Sequence, residues 1–553
     1  MTKKFFTAIV LTSWLLSTLA CSRSVIQNVD LTATAVAVEA TVNSMLATPQ
    51  LAASGQGSGD PFSTVPAFET PTQAVETIPP TDTPVPTQTS LPTETATPAP
   101  SDTVTSIPPT PDLTENPPIL YYTQAGDTIP ALAVRFSVDP GEIMSPNPLP
   151  AEGLLDPNLL LIIPNRLPET GAEDAVLPDS EIVFSPSAVD FDIDAFVNEA
   201  GGYLSTYREW GVSGWDSGAE VVYRVAIENS INPRLLLALI EYQSHWVYGQ
   251  PGNLAETDYP IGWNEFAYKG LYKQLSWAVQ QLSIGYYGWR AGLLTEISFP
   301  DQTNLRLSPQ VNAGTVAVQL LFSKLYNPRE WGGVMYSSTD GLLPLYERMF
   351  GNPWVRAQSV EPLYPTTLTQ PPFELPFQPG HTWSFSGGPH SAWGPDGALA
   401  ALDFAPSSLD HGCVESTEWV TAVASGLIVR SGNGIVILDL DGDGKEQTGW
   451  SILYLHVATK DRIAAGTWVD TGDIIGHPSC EGGKATGTHV HVVRKYNGEW
   501  ILADGPLPFV MSGWRVHAGP EPYQGYLTKD DKVATACDCG SYETLVTRPK
   551  DQP

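Results

Sequence analysis

Residues 24 to 118 contain neither Lys nor Arg, and residues 61 to 118 hold 15 Pro and 15 Thr in 58 positions. Pro fixes φ and removes a backbone donor, and few large apolar side chains remain to bury. Such a stretch cannot build a packed core. Residues 22–118 are therefore expected to form a disordered, polyproline-like stalk. Thr- and Pro-rich stalks often carry O-linked sugars. The chain has 553 residues, so enough length remains for several domains. Its formal charge of −32 argues against nucleic acid as a partner, because phosphate binding needs a cationic surface. No interior run approaches the roughly 20 apolar residues of a membrane span.

The N-terminus has a different character. Lys3 and Lys4 precede Phe5 to Leu19, a run broken only by Thr and Ser. Residues 1–21 are read as a secretion signal. The string Ser17-Thr18-Leu19-Ala20-Cys21 resembles a bacterial lipoprotein lipobox. That resemblance implies lipidation of Cys21, a lipid anchor in the cell membrane and work outside the cytoplasm, where disulfides persist.

At Leu120 the texture changes again. Residues 119–166 read as strand, turn, helix over Ile129 to Phe136, a second short helix near Pro140, and a strand over Leu159 to Pro164. With the Gly126-Asp127-Thr128 turn, the Asn147-Pro148 pair and the closing Leu-Leu-Ile-Ile-Pro string, this βααβ pattern resembles a LysM domain. The resemblance implies binding to the glycan strand of peptidoglycan, with Gly126, Asp127, Thr128 and Asn147 as candidate substrate-binding residues.

Residues 190–354 are rich in Trp and Tyr with helical periodicity. The clearest helix follows Asn232-Pro233, a good N-cap and first-turn pair. Its string up to Gln243-Ser244 resembles the active-site helix of lysozyme-like lytic transglycosylases. In that family a Glu stands where this chain has Gln243, and an amide cannot act as the general acid. Glu241 lies about 200° around the helix and cannot take its place. The domain is thus expected to be an inactive, transglycosylase-like helical unit.

From residue 375 the pattern is one of short β-type runs separated by Gly, which predicts an all-β domain over 375–525 and a tail over 526–553. His489 and His491 stand in Gly487-Thr488-His489-Val490-His491-Val492 and project to one face if the segment is a strand. Three further pieces are Gly387-Gly388-Pro389-His390, Leu402-Asp403-Phe404 and Tyr454-Leu455-His456. Together they resemble the lysostaphin-type, LytM-like zinc metallopeptidases. The resemblance implies that His390, Asp403 and His491 ligate Zn²⁺. It gives His489 the role of general base, and His456 that of orienting the water or stabilising the oxyanion. One spacing departs from the family, which has His-x-x-x-Asp: the His nearest upstream of Asp403 is His390, across an insertion over 391–401. His381 and His411 are the alternatives for the first ligand.

Two other features accompany this set. Asp439-Leu440-Asp441-Gly442-Asp443-Gly444 resembles the first half of a calcium loop. Trp450, however, stands where such loops place a bidentate Glu, and a polar hairpin turn is the expectation. Besides Cys21 there are Cys413, Cys480, Cys537 and Cys539, enough for two disulfides with three possible pairings. A Cys413–Cys480 bridge would rigidify the zinc site, leaving Cys537 and Cys539 to pair or stay free. The whole is read as an envelope-anchored zinc endopeptidase acting on peptidoglycan, with a non-catalytic wall-binding scaffold or hydrolase activator as the alternative.

Overall fold

The computed structural model describes residues 116–550, apart from Ala151, 212–213, Thr366 and 408–411. The expected signal, Cys21, the stalk up to residue 115 and His411 lie outside the described residues. Among the described residues no helix is long and apolar enough to cross a membrane.

The first element pair is β1 (Ile119–Tyr122) with β2 (Leu160–Ile163), antiparallel, flanking α1 (Ile129–Phe136) and a single 3-10 turn, Pro140–Glu142. Thr128 caps α1 by accepting from Ala131 N, and Ser137 ends it in the left-handed region. Tyr121, Leu132, Phe136, Leu161 and Ile163 form the small core. Asp127 organises the turn, accepting from Tyr121 Oη, Gln124 N and Arg135 Nη1 at 2.6–2.8 Å.

The helical region is built on α2 (Gly218–Asn229), α3 (Pro233–Ser244), α4 (Leu271–Arg290) and α5 (Ala313–Ser323). Asn232 caps α3, with Pro233 in its first turn. Ser217 and Glu220 form a capping box on α2. In α4, a Cβ at Gly285 would lie 2.8 Å from Ala317 Cα, so α4 and α5 approach too closely for any larger residue. The core of this region runs from Val176 to Leu363, wider than the expected 190–354, because flanking irregular segments also supply buried side chains.

Beyond it lies a nine-stranded antiparallel sheet. Its strands are β3 (Thr382–Ser391), β4 (Leu399–Pro406), β5 (Gly426–Gly432), β6 (Ile435–Asp439), β7 (Trp450–Leu455), β8 (Trp468–Val469), β9 (Val490–Tyr496), β10 (Glu499–Trp500) and β11 (Leu545–Thr547). The order is β8-β5-β6-β7-β9-β4-β3-β11, with β10 paired to β9. A four-stranded meander over residues 510–535 packs beside β3. The expected tail over 526–553 is therefore corrected. Residues 525–535 are two strands of that meander and β11 closes the large sheet, with Val546 and Arg548 buried. Runs of three to five residues, two of them bearing Lys at one end, gave too weak a pattern to read as strands.

Both faces of the central strands are covered. Val436, Leu438, Ile452, Tyr454, Val490 and Val492 point into the β-domain's own core. Ile435, Ile437, Leu453, Leu455 and Val493 join the core of the helical region. Alternate residues serve the two sides, so these strands read as continuous apolar runs.

Candidate active site

Three neighbouring strands bring the expected ligands together. Asp403 on β4 is directly opposite His491 on β9, and His390 on β3 pairs with Ala401, two residues from Asp403. The insertion that separates His390 from Asp403 is thus the tip of the β3–β4 hairpin. Its far end rests on α4, where Gln280 Nε2 donates to Asp396 Oδ2 at 2.7 Å. His390 Nε2, His491 Nδ1 and Asp403 Oδ1 lie 3.0–3.3 Å from one another. Asp403 Oδ1 is buried and accepts no hydrogen bond. Glycine is required behind this cluster, since a Cβ at Gly387 would sit 2.6 Å from Asp403 Oδ2.

Each histidine is oriented by a backbone carbonyl. His390 Nδ1 donates to Gly388 O at 2.8 Å, and His491 Nε2 donates to Ala392 O at 3.3 Å. His489 Nδ1 donates to Gly487 O at 2.7 Å and His456 Nδ1 to Glu481 O at 2.8 Å. A carbonyl can only accept, so these contacts place the proton on the outer nitrogen of each neutral ring and leave the inner nitrogen with its lone pair. With both rings neutral, His390 Nε2 and His491 Nδ1 therefore face each other and Asp403 Oδ1 as three acceptors. A cation resolves that conflict. Two imidazole nitrogens and one carboxylate, with outer nitrogens tied to the protein, suit Zn²⁺ and leave a coordination position for water.

His489 and His456 stand beside this trio. His489 Nε2 is 3.7 Å from Asp403 Oδ1, and the His456 and His489 rings are 4.5 Å apart. His456 follows β7, whose last residue pairs with His491, and has φ of +66°, which turns its ring back over the site. Burial, with His489 and His491 alongside, pushes the His456 imidazole down to about 3. Burial also opposes ionisation of His390 and Asp403. Their mutual attraction outweighs it, raising His390 and holding Asp403 well below the usual carboxylate range.

The remaining expected residues fall elsewhere. His381 pairs with Glu418 and stands outside the ligand group. His477 Nδ1 donates to Glu418 O and its ring stacks on Trp419, and His517 stacks on Tyr526. Cys413 bonds Cys480, and Cys537 bonds Cys539. The Cys413 loop is pinned to Thr488, which donates to Val414 O and accepts from Val414 N, next to His489. Gly126 and Asp127 dock their turn on α4, where Arg290 bonds Ala125 O, while Asn147 is exposed. In α3, Glu241 is spent on Val247 N and Tyr248 N, and Gln243 Oε1 accepts from Tyr326 Oη.

The comparisons with known proteins bear on both halves. Residues 175–363 match the family model described as LasA, N-terminal domain. Protease LasA of Pseudomonas aeruginosa is 26% identical over 317 residues, which cover 53% of this chain and 69% of that protein. Beta-lytic metalloendopeptidase of Achromobacter lyticus is 26% identical over 169 residues, covering 28% of this chain and 42% of that one. The chain is thus similar in sequence to Protease LasA and to a metalloendopeptidase. Among solved structures, the M23 metalloprotease pseudoalterin from the deep sea is 26% identical. The match covers 31% of this chain and 96% of that one, with a TM-score of 0.26. The lysostaphin catalytic domain of Staphylococcus simulans is 23% identical over 22% of this chain and 89% of that one, with a TM-score of 0.17.

Sequence reasoning missed one residue of this metallopeptidase site. Tyr523 stacks on His390 with ring centroids 4.1 Å apart, and its loop is bonded to β3 through Gly388 and Pro389. It comes from a turn far along the chain, and nothing in Glu521-Pro522-Tyr523 marks it as part of a metal site. Tyr523, Pro389 and Ser391 also rim a cleft of about 570 Å³ that reaches Ile284 and Tyr287 of α4.

Proposed function

We propose that this protein is a cell-envelope zinc endopeptidase that hydrolyses amide bonds in peptidoglycan peptides. The observation that carries the reading is the set of inward-facing ring nitrogens of His390 and His491 around the unpartnered Asp403 Oδ1. His390, Asp403 and His491 would hold the zinc. Bound zinc lowers the pKa of its water and polarises the scissile carbonyl. His489 accepts the water's proton at Nε2, its Nδ1 proton being held by Gly487 O. His456 stays neutral, with Nε2 an acceptor, which favours orienting the water over donating to an oxyanion.

The cleft beside Tyr523 is the place for the substrate peptide. Its mostly apolar walls and the carboxylates of Asp396 and Asp504 on its rim suit a short stem or cross-bridge. The β1–α1–β2 module is LysM-like and holds the glycan, and the chain is tethered outside the cytoplasm through lipid on Cys21. The helical region is non-catalytic, because its acid position is Gln243 and its nearest Glu caps backbone. A wall-binding scaffold without catalysis is the weaker reading, since such a protein has no use for five convergent ligand-type side chains.

Digestion of purified peptidoglycan by the full chain tests the proposal. New amino groups without new reducing or anhydro sugar ends are the expected products. Sugar ends without amino groups would move the chemistry to the helical region. Binding with neither product would favour the scaffold.

A further inference from the structure

The β6–β7 hairpin carries a second group of acidic side chains, outside the peptidase site. Asp439, Asp441 and Asp443 each offer a carboxylate oxygen within 4.8 Å of the others. Like charges so close repel one another unless a cation or proton lies among them. Asp439 ends β6 and is fully buried. Its Oδ2 accepts from Gly444 N at 2.9 Å, but its Oδ1, also buried, has no hydrogen-bond partner. A buried carboxylate oxygen left without a donor is costly, and the cost is removed by a metal ion.

Among the described residues, the neighbouring side-chain cations are engaged elsewhere. Lys445 reaches away to Asp190, with Nζ 3.1 Å from Oδ1. Arg430 and Lys495 are taken by Glu446. The loop is also shaped to bring Asp441 inward: a Cβ at Gly449 would lie 2.3 Å from Asp441 Oδ2, and Gly449 has φ of +56°.

We propose that Asp439, Asp441 and Asp443 form a calcium site. An all-oxygen carboxylate set selects a hard cation over zinc, which favours nitrogen and sulfur. Two of the three carboxylates are exposed on a single loop, so water can complete the larger, irregular shell of Ca²⁺ more readily than the strict octahedron of Mg²⁺. Trp450 replaces the bidentate Glu of a full calcium loop, which places the affinity in the weak, extracellular range. The ion would clamp the turn between two strands that are buried on both faces, and its effect is on stability rather than on the peptidase chemistry.

The test uses the zinc-loaded full chain, stripped of calcium, titrated calorimetrically with CaCl₂ and separately with MgCl₂. Wild type is expected to take about one Ca²⁺, to melt higher with calcium, and to bind Mg²⁺ more weakly. Asp441→Asn with Asp443→Asn is expected to weaken calcium binding at least about tenfold while keeping its zinc. Should the double variant lose zinc through misfolding, Asp441→Asn alone decides by the same loss of affinity. No calcium heat or melting shift in wild type, preference for Mg²⁺, or unchanged calcium affinity in the folded variant would each overturn the proposal.

Discussion

His390 Nε2 and His491 Nδ1 face each other at 3.0 Å, although each ring's proton is already held on its other nitrogen by a backbone carbonyl. Two lone pairs in that position repel, and Asp403 Oδ1 adds a third at 3.2–3.3 Å. The fold has therefore built a pocket that is at rest only around a positive charge, a proton on His390 in the metal-free protein or a metal ion.

Replacing Asp403 by Asn keeps the shape and removes the charge. Zinc affinity should fall by more than the about 100-fold that loss of a merely supporting partner costs. Competition with a chromogenic chelator measures it, and unchanged affinity would remove Asp403 from the ligand set.

His456→Ala separates chemistry from metal binding. The variant should keep its zinc and lose about 10²–10⁴-fold in kcat with little change in KM. Loss of zinc instead would make His456 a ligand.

Stability of the zinc-free protein should carry the mark of His456. Its folded pKa of about 3 lies below the unfolded value of about 6.5. Between those values the unfolded chain holds a proton that the folded one does not, so stability rises with pH across this window and the contribution is complete above about 6.5. Asp403 acts in the same sense at lower pH: its contribution is present above about 3.9 and is lost as pH falls through its depressed folded value. His390 acts oppositely, its contribution being full below about 6.5 and lost as pH rises through its raised folded value. Urea unfolding of chelated protein at pH 5 and pH 7 should show His456→Gln lacking about 2 kcal/mol of the wild-type gain. Equal gains in the two proteins would contradict the buried neutral imidazole.

Arg290 ties three parts of the molecule together. It hydrogen-bonds Asp179 at 2.7 Å and the Ala125 carbonyl and forms an ion pair with Glu499 at 3.3 Å, all in buried surroundings. Arg290→Ala leaves two buried carboxylates without their cation and should cost about 3–5 kcal/mol. A melting temperature within a degree or two of wild type would show that the helical region and the sheet are joined mainly by apolar packing.

What the sequence made legible was local. Asn232-Pro233 marked the start of α3, and the i, i+2 spacing of His489 and His491 marked a strand with both rings on one side. His390, Asp403 and His456 were named only through the resemblance of their short strings to the lysostaphin-type family. What it hid was long-range. The 391–401 insertion looked like a defect in ligand spacing, yet it is a hairpin tip braced on α4 through Asp396. The helical and β regions looked like separate beads, whereas Ile435, Leu453 and Val493 share one core with Leu236 and Val316. Continuous apolar runs in β6 and β7 signalled burial on both faces, but not what covers the second face. Tyr523 and β11 carried no signal, since each matters only through a partner distant in the chain.

The most direct test of the central claim is zinc content of the purified full chain, beside His390→Ala and His491→Ala, with amino-group release from peptidoglycan on the same samples. About one zinc per wild-type chain is expected, with loss of both zinc and amide hydrolysis in each variant. Zinc and activity retained in His390→Ala would contradict the ligand set, and a wild-type chain that releases amino groups without zinc would contradict the mechanism.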